Sequence, residues 1–355
     1  MSNIKELRLK EYDQSYENYK RIETIVAGLL EKTVAESNIS IMQITHRIKS
    51  RDSVAEKLER KPEKYKTVNM MNDLIGFRII CYFSDQVDEI ARLVEKVLTV
   101  DREKSSDKRK LISPTAFGYL SLHFICSLPE NAGYPEELLG YTFEIQFRTV
   151  LQHAWAEIEH DLGYKTEFGI PVDVRREFSR VAGLLEIADE SFENIRSRIG
   201  EYEKWVHESI KDDRADKFSL DLVTLKEFVR HSQMMKSFLE EICAFSGATM
   251  MEVSPENYLE RLAFFNIRTL GDLSAFMELE REHAIMLAQS SLAATELDEL
   301  ATTVGLYYLC KAHLVFQDYR DEELKNYFRT YITDDARIDR EVNRIKQLRK
   351  RYTDV

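Results

Sequence analysis

Three short segments in which polar and apolar residues alternate constrain the fold of this chain most. They run over residues 73–78, 118–123 and 144–149. Successive side chains of a β-strand point to opposite faces, so the last segment places Glu144 and Gln146 on one face and its apolar residues on the other. Three such strands can line one cleft with ionisable side chains. The pattern therefore predicts a sheet with one face in a core and one polar face that carries a site.

The spacing of apolar residues predicts the remaining elements. Helices are expected at residues 3–37, 39–60, 85–98 and 150–164, and strands at 74–83, 119–128 and 141–148. The helix at 39–60 would carry a basic stripe, because Lys49 and Lys57 lie about two turns apart. Residues 102–110 are interpreted as a basic loop and residues 113–115 as a turn. From residue 172 onward the pattern is almost wholly helical, and it begins with one long helix or two shorter ones up to residue 211.

The length of the chain and a break in its helical pattern indicate two domains. The chain has 355 residues, and a polar run interrupts the helical pattern at residues 212–214. We therefore predict one domain at residues 1–211, with its core at about 40–165, and a helical domain at residues 216–355. No motif in the second domain indicates its role, although binding of a protein partner would suit it.

The charge of the chain excludes one class of function. Its formal net charge is −12, so it lacks the excess of Lys and Arg with which proteins coat nucleic acid. Two basic clusters, within residues 102–110 and 337–351, are local exceptions. The second cluster is interpreted as a solvated helix face.

The cysteines and the apolar stretches indicate the compartment. Four cysteines lie far apart and are expected to be reduced and mostly buried; they are Cys81, Cys126, Cys243 and Cys310. No apolar stretch is long enough to cross a membrane, and no segment resembles a secretory leader. We therefore expect a cytoplasmic protein without membrane contact.

Two carboxylates and several cations are predicted to meet on the polar face. Asp73 and Glu144, on neighbouring strands, would suit Mg²⁺, which takes one or two carboxylates and fills its octahedron with water and substrate phosphates. The cations that would balance a triphosphate are Arg47, Lys49, Lys57 and Arg78. Each feature alone is weak, since an Asp before a strand is more often a turn cap and a lysine stripe more often faces solvent. Together they suit phosphoryl or pyrophosphoryl transfer.

Five blocks of residues, in order along the chain, resemble the synthetase domain of the RelA/SpoT alarmone enzymes. The resemblance covers roughly residues 40–165 and is greatest to the small, single-domain alarmone synthetases and their toxin relatives. The blocks are Arg47-Ile48-Lys49-Ser50 with Lys57, Asp73 to Arg78, Gly118 to His123, Glu144 to Thr149, and Trp155 to Lys165.

The resemblance implies an α+β fold with a nucleotidyltransferase-like mixed β-sheet flanked by helices. It implies Mg²⁺-dependent transfer of the β,γ-pyrophosphate of ATP to the 3′-hydroxyl of GDP or GTP, which makes (p)ppGpp. Asp73 and Glu144 would hold Mg²⁺, and Glu144 would also take the hydroxyl proton. The ATP side would comprise Arg47, Lys49, Ser53, Lys57, Arg60 and Arg78. The acceptor side would comprise Lys108, Lys110, Tyr119, His123, Gln146, Arg148 and Lys165, with Tyr119 stacked on the base.

One block departs from the pattern of the family. Thr115 stands where a phosphate-binding Lys is expected, and Phe117 stands where an Asn is expected. The basic residues at 108–110 could restore the charge for a guanosine nucleotide, or they could suit an RNA backbone. The acceptor therefore stays open between GDP, GTP and the 3′ end of tRNA, and the last of these would make the protein a growth-inhibiting toxin.

Other interpretations of the same residues stay open. The cleft could sense nucleotides without turnover, although a sensor would not need both Asp73 and Glu144. The pair His160-Asp161 also occurs in the hydrolase domain of the family, but that site takes further ligands from a separate helical domain, so His160 is assigned to the helix behind the cleft. Trp155 is assigned to the core. A homo-oligomer is expected, as is common among the small synthetases.

Overall fold

The computed structural model describes residues 2–60, 63–111, 121–164, 172–212, 214–293 and 297–353. The chain divides into two compact units, residues 1–196 and 197–355, and the division falls within one long helix. The domain boundary that the sequence places at residues 211–216 stays a prediction.

The first unit combines helices with a sheet. Its helices are α1 Ser2–Ala35, α2 Arg51–Arg60, α3 Ser84–Val97, α4 Lys108–Leu111, α5 Val150–Tyr164 and the first part of α6 Val172–Lys211. Its strands are β1 Ile41–Ile48, β2 Ile75–Cys81, β3 Thr99–Asp107, β4 Leu122–Ser127 and β5 Phe143–Thr149. The predicted helices at 3–37, 85–98 and 150–164 are thereby confirmed, with shifts of one or two residues at some ends.

The five strands form one mixed sheet in the order β1-β2-β5-β4-β3. β2 and β5 run parallel, and the other neighbouring strands run antiparallel. The antiparallel pairing of β4 with β5 confirms the predicted pair of strands at 119–128 and 141–148. The predicted α+β class, a mixed sheet flanked by helices, is confirmed as well.

One face of the sheet is covered by α1 and α3 and forms the core of this unit. Phe77 and Ile145, on the parallel pair of strands, are fully buried against Ile22 of α1 and Ile90 of α3. Burial of one large apolar side chain contributes about 1.5–3 kcal/mol, so this face supplies most of the driving force for folding the unit. The first helix contributes Tyr12, Tyr19, Ile22, Val26 and Leu30 to this core.

The predicted helix at 39–60 is wrong in its first half, because residues 41–48 form strand β1. The β-branched residues Ile41, Ile44 and Thr45 favour a strand, and β1 pairs with β2 along its length. The helix begins only after Ser50, whose Oγ accepts a hydrogen bond from the backbone N–H of Ser53 at 3.3 Å, as a helix cap does.

The predicted basic loop at 102–110 is also wrong. Residues 99–107 form the edge strand β3, and the short helix α4 follows. An edge strand tolerates charged side chains, so its polar composition resembles that of a loop. The predicted turn at 113–115 lies outside the described residues.

The second unit is helical apart from one short pair of strands. Its helices are the remainder of α6, α7 Leu222–His231, α8 Gln233–Ala244, α9 Leu259–Phe264, α10 Leu270–Leu292, α11 Val304–Phe316, α12 Asp321–Arg329 and α13 Asp335–Thr353. The strands β6 Thr249–Met251 and β7 Glu299–Ala301 pair in parallel. Within the described ranges, no helix combines the length and the apolar character that a membrane crossing needs.

The cysteines are free thiols, as predicted. Cys81, Cys126 and Cys310 are buried, and Cys243 is partly buried. Burial raises the pKa of Cys81 and Cys126 to about 12, so both thiols are protonated at neutral pH. They act as small apolar side chains of the core.

One buried hydrogen bond joins α6 to the sheet. Thr149 Oγ1, at the end of β5, donates to Asp189 Oδ2 at 2.7 Å, and both side chains are buried. Burial raises the pKa of Asp189 to about 6; the hydrogen bond from Thr149 opposes this rise, and the charge of Glu193 adds to it. Ionisation of Asp189 therefore costs more free energy in the folded chain than in the unfolded chain.

Replacing Asp189 by Asn should stabilise the protein at neutral pH. The pKa of Asp189 is raised by folding, so its contribution to stability is fully present below the unfolded value of 3.8 and is lost as the pH rises through about 6. The Asn side chain keeps an oxygen for Thr149 and never ionises. We expect a gain on the order of 3 kcal/mol in the free energy of unfolding above pH ~7, shrinking towards pH ~4, measured by urea unfolding.

Glu190→Gln is the matched control for this experiment, because Glu190 is the next residue of α6 and is exposed. Its effect should lie within about 0.5 kcal/mol at every pH. A gain from Asp189→Asn that does not change with pH would show that ionisation of Asp189 is not its cause.

Candidate functional site

The polar face of the sheet carries two rows of side chains, because neighbouring strands are paired in register. The first row consists of Thr45, Arg78, Gln146 and His123. The second row consists of Arg47, Gly76 and Glu144. The alternation predicted from the sequence thus places these polar side chains on the face opposite the core.

Asp73 lies just before β2 and is shared by two lysines. Lys49 Nζ donates to Asp73 Oδ2 at 2.6 Å, and Lys57 Nζ donates to both carboxylate oxygens at 2.7 Å. Burial raises the pKa of Asp73, but the hydrogen bonds and charges of the two lysines outweigh it and hold the pKa below its ordinary value. Burial lowers the pKa of Lys57, and Asp73 more than reverses this, so that pKa is raised. Asp73 and Lys57 are therefore both ionised at neutral pH.

Backbone contacts hold the two lysines in place. The N–H of Lys49 donates to the carbonyl of Leu74 at 2.8 Å, and its carbonyl accepts from the hydroxyl of Tyr12 at 2.7 Å. Lys57 lies on α2, whose inner face is anchored by the buried side chain of Leu58. Lys57 thus projects from a helix, and Lys49 projects from a link between β1 and α2 that hydrogen bonds hold in place, which favours the same geometry when a ligand binds.

Glu144 lies within β5 and has both carboxylate oxygens paired. Oε1 is 2.7 Å from His123 Nδ1, and Oε2 accepts from Gln146 Nε2 at 2.8 Å. Gln146 Oε1 accepts in turn from Arg148 Nη2 at 2.6 Å and from Arg78 Nε at 3.3 Å. Burial raises the pKa of Glu144, but the contact with His123 and the hydrogen bond from Gln146 outweigh it, so the pKa lies below its ordinary value.

A cleft of about 220 Å³ opens over these rows. The charge of Asp73 acts to raise the pKa of Glu144, so the two carboxylates are electrostatic neighbours within it. Gly76 lies between Arg47 and Glu144 in the second row, and a Cβ at this position would meet no atom within 4 Å. The absence of a side chain at Gly76 keeps the floor of the cleft open to a ligand.

Most of the predicted site residues meet at this cleft. Those that line it or contact a lining carboxylate or amide are Arg47, Lys49, Lys57, Asp73, Arg78, His123, Glu144, Gln146 and Arg148. Ser53 and Arg60 lie on α2 with exposed side chains. Tyr119 and Lys165 lie outside the described residues.

The basic segment before the undescribed residues has a different environment. Lys108 and Lys110 belong to α4, and Lys110 lines a second cavity, of about 340 Å³, between α3 and β3. Arg109 donates to Asp88 at 2.7 Å and to Asp107 at 2.9 Å. These carboxylates neutralise much of the positive charge that the sequence offers to an RNA backbone. Thr115 and Phe117 lie outside the described residues.

Several residues of the site were not predicted from the sequence, among them Thr45 and Glu157. Thr45 lines the cleft beside Arg78, and it alternates with Arg47 along β1. That signal is visible only when residues 41–48 are recognised as a strand. Glu157 of α5 accepts a hydrogen bond from Arg78 Nη1 at 2.6 Å.

The helix α5 bounds the site and confirms one assignment. Trp155 is buried, and its Nε1 donates to the carbonyl of Phe178 at 3.1 Å, so it belongs to the core as predicted. His160 lies on the same helix with an exposed side chain. Together with the bond between Glu157 and Arg78, this packing fixes α5 beside the sheet.

Part of this chain is similar to known proteins. Residues 46–168 match the family described as the region found in RelA / SpoT proteins. The chain is 31% identical to GTP pyrophosphokinase YjbM of Bacillus subtilis (strain 168) over 160 residues, which are 44% of this chain and 73% of the relative. It is 30% identical to GTP pyrophosphokinase YwaC of the same organism over 156 residues, which are 43% of this chain and 72% of that relative. The crystal structure of small alarmone synthetase 1 from Bacillus subtilis is similar with a TM-score of 0.46 and 27% identity, over 54% of this chain and 99% of that one.

Replacing Asp73 by Asn should destabilise the protein, because it leaves Lys49 and Lys57 together without a carboxylate. Hydrogen bonds to charged groups contribute about 1.5–3 kcal/mol, so we expect a loss on the order of 2–3 kcal/mol in the free energy of unfolding at pH ~7. Folding lowers the pKa of Asp73, so this contribution is present above the unfolded value of 3.8 and is lost as the pH falls through the lower native value. Urea unfolding of both proteins measures it.

Asp13→Asn provides a matched control. Asp13 pairs with Arg51 at 3.0 Å, but both side chains are about half exposed, so its removal should cost less than about 1 kcal/mol. If Asp73→Asn and Asp13→Asn lowered the free energy of unfolding equally, the carboxylate shared by Lys49 and Lys57 would have no special importance for stability.

Proposed function

Because this chain belongs to the RelA/SpoT family of alarmone synthetases, we propose that it is a Mg²⁺-dependent pyrophosphokinase that transfers the β,γ-pyrophosphate of ATP to the 3′-hydroxyl of GDP or GTP. The observation that carries the proposal is the meeting of Asp73 and Glu144 on the polar face of the sheet. The relatives YjbM and YwaC are GTP pyrophosphokinases by name, which supports the same reaction class.

Asp73 and Glu144 fit a Mg²⁺ ion. Both carboxyl groups have a pKa below the ordinary value, so both are ionised at neutral pH, and Mg²⁺ takes one or two such ligands together with substrate phosphates. Their oxygens are paired here with Lys49, Lys57 and His123. Mg²⁺, when bound, would neutralise charge on the transferred phosphates.

The donor side of the cleft carries the charge that a triphosphate needs. Arg47 and Lys49 line the cleft, and Lys57 reaches Asp73 from α2. If a cation binds Asp73, the ammonium groups of Lys49 and Lys57 lose that carboxylate as an acceptor. They would then donate hydrogen bonds to phosphate oxygens of the nucleotide. Ser53 and Arg60 lie further along α2, and we assign them to the same side.

The reaction is a single displacement at the β-phosphorus of ATP. The acceptor 3′ oxygen forms a bond to that phosphorus, the bond to the oxygen bridging the α- and β-phosphates breaks, and AMP leaves. Glu144 takes the proton of the 3′-hydroxyl, because it lines the cleft and is ionised at neutral pH. Arg78 lies one row away and would stabilise the charge that develops on the transferred group.

The acceptor is assigned to the side of the cleft where His123, Gln146 and Arg148 lie. We keep Lys108, Lys110, Tyr119 and Lys165 as proposed acceptor contacts, the last two of which lie outside the described residues. A guanosine nucleotide is favoured over the 3′ end of tRNA because Arg109, which would have suited an RNA backbone, is engaged by Asp88 and Asp107. A homo-oligomer stays a prediction.

The experiment that tests the proposal uses ATP labelled in its β- and γ-phosphates, with Mg²⁺ and with GDP, GTP or deacylated tRNA offered separately. We expect label on GDP or GTP. Asp73→Asn and Glu144→Gln should each lower kcat by at least about 100-fold, because each removes a group that acts on the reacting atoms. Asp13→Asn, away from the cleft, should retain full activity.

The outcomes separate the three interpretations of the cleft. Label on tRNA alone would overturn the guanosine nucleotide as acceptor and make the protein a tRNA-modifying enzyme. No label on any acceptor, together with nucleotide binding that survives Asp73→Asn, would identify a sensor. Full activity of Glu144→Gln would contradict its role as the base.

Replacing Gly76 by Val should abolish activity without unfolding the chain. The added Cβ has free space, and Val is favoured in strands, so β2 should keep its pairing. The side chain would occupy the floor of the cleft between Arg47 and Glu144. We expect kcat/KM to fall by more than about 100-fold, with an unfolding temperature close to that of the unmodified protein.

Gly28→Ala is the matched control for this variant. Gly28 lies within α1, and a Cβ there also meets no atom within 4 Å. The variant should retain activity and gain about 0.5–1 kcal/mol of stability, as expected for Ala in a helix. Activity of Gly76→Val at the level of Gly28→Ala would show that the ligand does not use this cleft.

A further inference from the structure

Three side chains of the kinds that bind transition metals meet in the second unit. His207 lies near the end of α6, and Glu227 and His231 lie one turn apart on α7. His207 Nδ1 is 3.0 Å from Glu227 Oε2, and His231 Nε2 is 3.7 Å from the same oxygen. Among the described residues, this is the one group of three or more His, Cys, Asp or Glu whose ligand atoms lie close enough to share an ion.

The separations of these ligand atoms suit a tetrahedral ion. All of them lie within 4.8 Å of one another. Zn²⁺ binds His nitrogen and carboxylate oxygen at about 2.0–2.2 Å, so tetrahedral ligands lie roughly 3.4 Å apart. The two distances to Glu227, 3.0 and 3.7 Å, fall on either side of that value. The imidazole rings are perpendicular, with centroids 4.3 Å apart, so each ring can direct a nitrogen to the carboxylate.

The chemistry of the donors selects the class of ion. Two imidazoles and one carboxylate are typical of Zn²⁺ and similar transition metals, whereas Mg²⁺ and Ca²⁺ prefer oxygen ligands. A metal binds the neutral imidazole. The donor set therefore favours a transition-metal ion.

Contacts outside the group bring α6 and α7 together. The hydroxyl of Tyr202 donates to Asp221 Oδ2 at 2.9 Å, and Trp205 packs on Phe218 with ring centroids 4.4 Å apart. Asp221 also caps α7, because its Oδ1 accepts from the backbone N–H of Thr224 at 2.8 Å. The ligands are therefore positioned by the fold itself, which lowers the cost of ordering them around an ion.

We propose that His207, Glu227 and His231 bind one Zn²⁺ ion or a similar transition-metal ion, with the fourth position open to water or to another ligand. The ion would join the end of α6 to α7. The three side chains are between 12% and 33% exposed, so an ion can reach them from solvent. The competing interpretation is that His207 and Glu227 form a hydrogen-bonded pair without a metal. In that case Glu227 also forms an ion pair with Arg230, whose Nη1 lies 3.8 Å from Glu227 Oε1.

The test uses the full chain without a histidine tag, freed of metal by a chelator that is then removed. Zn²⁺ binding is measured by titration calorimetry, and Co²⁺ is added as a spectroscopic probe of tetrahedral coordination. We expect one high-affinity Zn²⁺ per chain, visible Co²⁺ bands, and a rise in unfolding temperature on the order of 5 °C with saturating Zn²⁺. His207→Gln, Glu227→Gln and His231→Gln should each weaken binding by more than about 100-fold, because even a partner outside the ligand sphere contributes about 10- to 100-fold.

His283→Gln is the matched control. His283 lies in the same unit with Nδ1 3.3 Å from Glu280 Oε2, and His313 contacts the other oxygen of that carboxylate, Oε1, at 2.7 Å. The two imidazoles therefore do not share one oxygen, and these residues do not form a group close enough to share an ion. The Zn²⁺ affinity of His283→Gln should equal that of the unmodified chain. Any Zn²⁺ that binds at Asp73 and Glu144 would contribute equally in all variants. Absence of tetrahedral Co²⁺ bands in the unmodified chain, or equal affinity in His207→Gln, would overturn the proposal. The Co²⁺ spectrum of the unmodified chain tests the proposal even if one of the variants does not fold.

Discussion

The in-register parallel pairing of β2 with β5 is the constraint on which the site depends. It places Gly76 opposite Glu144 and Arg78 opposite Gln146. A slip of one residue would turn the polar side chains of one strand into the core and its apolar side chains into the cleft. Because the same register buries Phe77 beside Ile145, the free energy that forms the core also fixes the positions of the ionisable groups. The register of these two strands therefore determines both the packing of the core and the geometry of the site.

Much of the first unit could be predicted because local patterns and tertiary packing agree there. The alternation around Gln146 identified both the strand and the face that carries the site. The residues 41–48 were misassigned because their basic residues suit a helical stripe as well as a strand, and pairing with β2 decides between the two. The edge strand β3 was missed because it contacts only one neighbour and tolerates charge. The approach of His207 to His231 depends on how α6 meets α7, which no local pattern specifies.

The polar network is arranged so that each of these two partly buried carboxylates has a compensating donor. Asp73 accepts from Lys49 and Lys57, and Glu144 contacts His123 and Gln146. An unpaired charge at this depth would cost several kcal/mol, so the pairs hold the ionised state that a cation or a hydroxyl proton requires. The pairing also fixes the rotamers of the donors. The cleft is therefore preorganised for charge before any ligand enters.

The balance of charge in the cleft determines how a bound cation and a bound triphosphate would affect each other's affinity. Arg47, Lys49, Lys57 and Arg78 outnumber the two carboxylates, and Glu157 compensates only Arg78. A divalent cation alone would meet net positive charge and would have to displace ammonium groups from Asp73. A triphosphate offers those groups new acceptors and adds negative charge of its own. For the proposed pyrophosphokinase, metal and nucleotide would therefore bind with positive cooperativity, because each removes the electrostatic cost of the other.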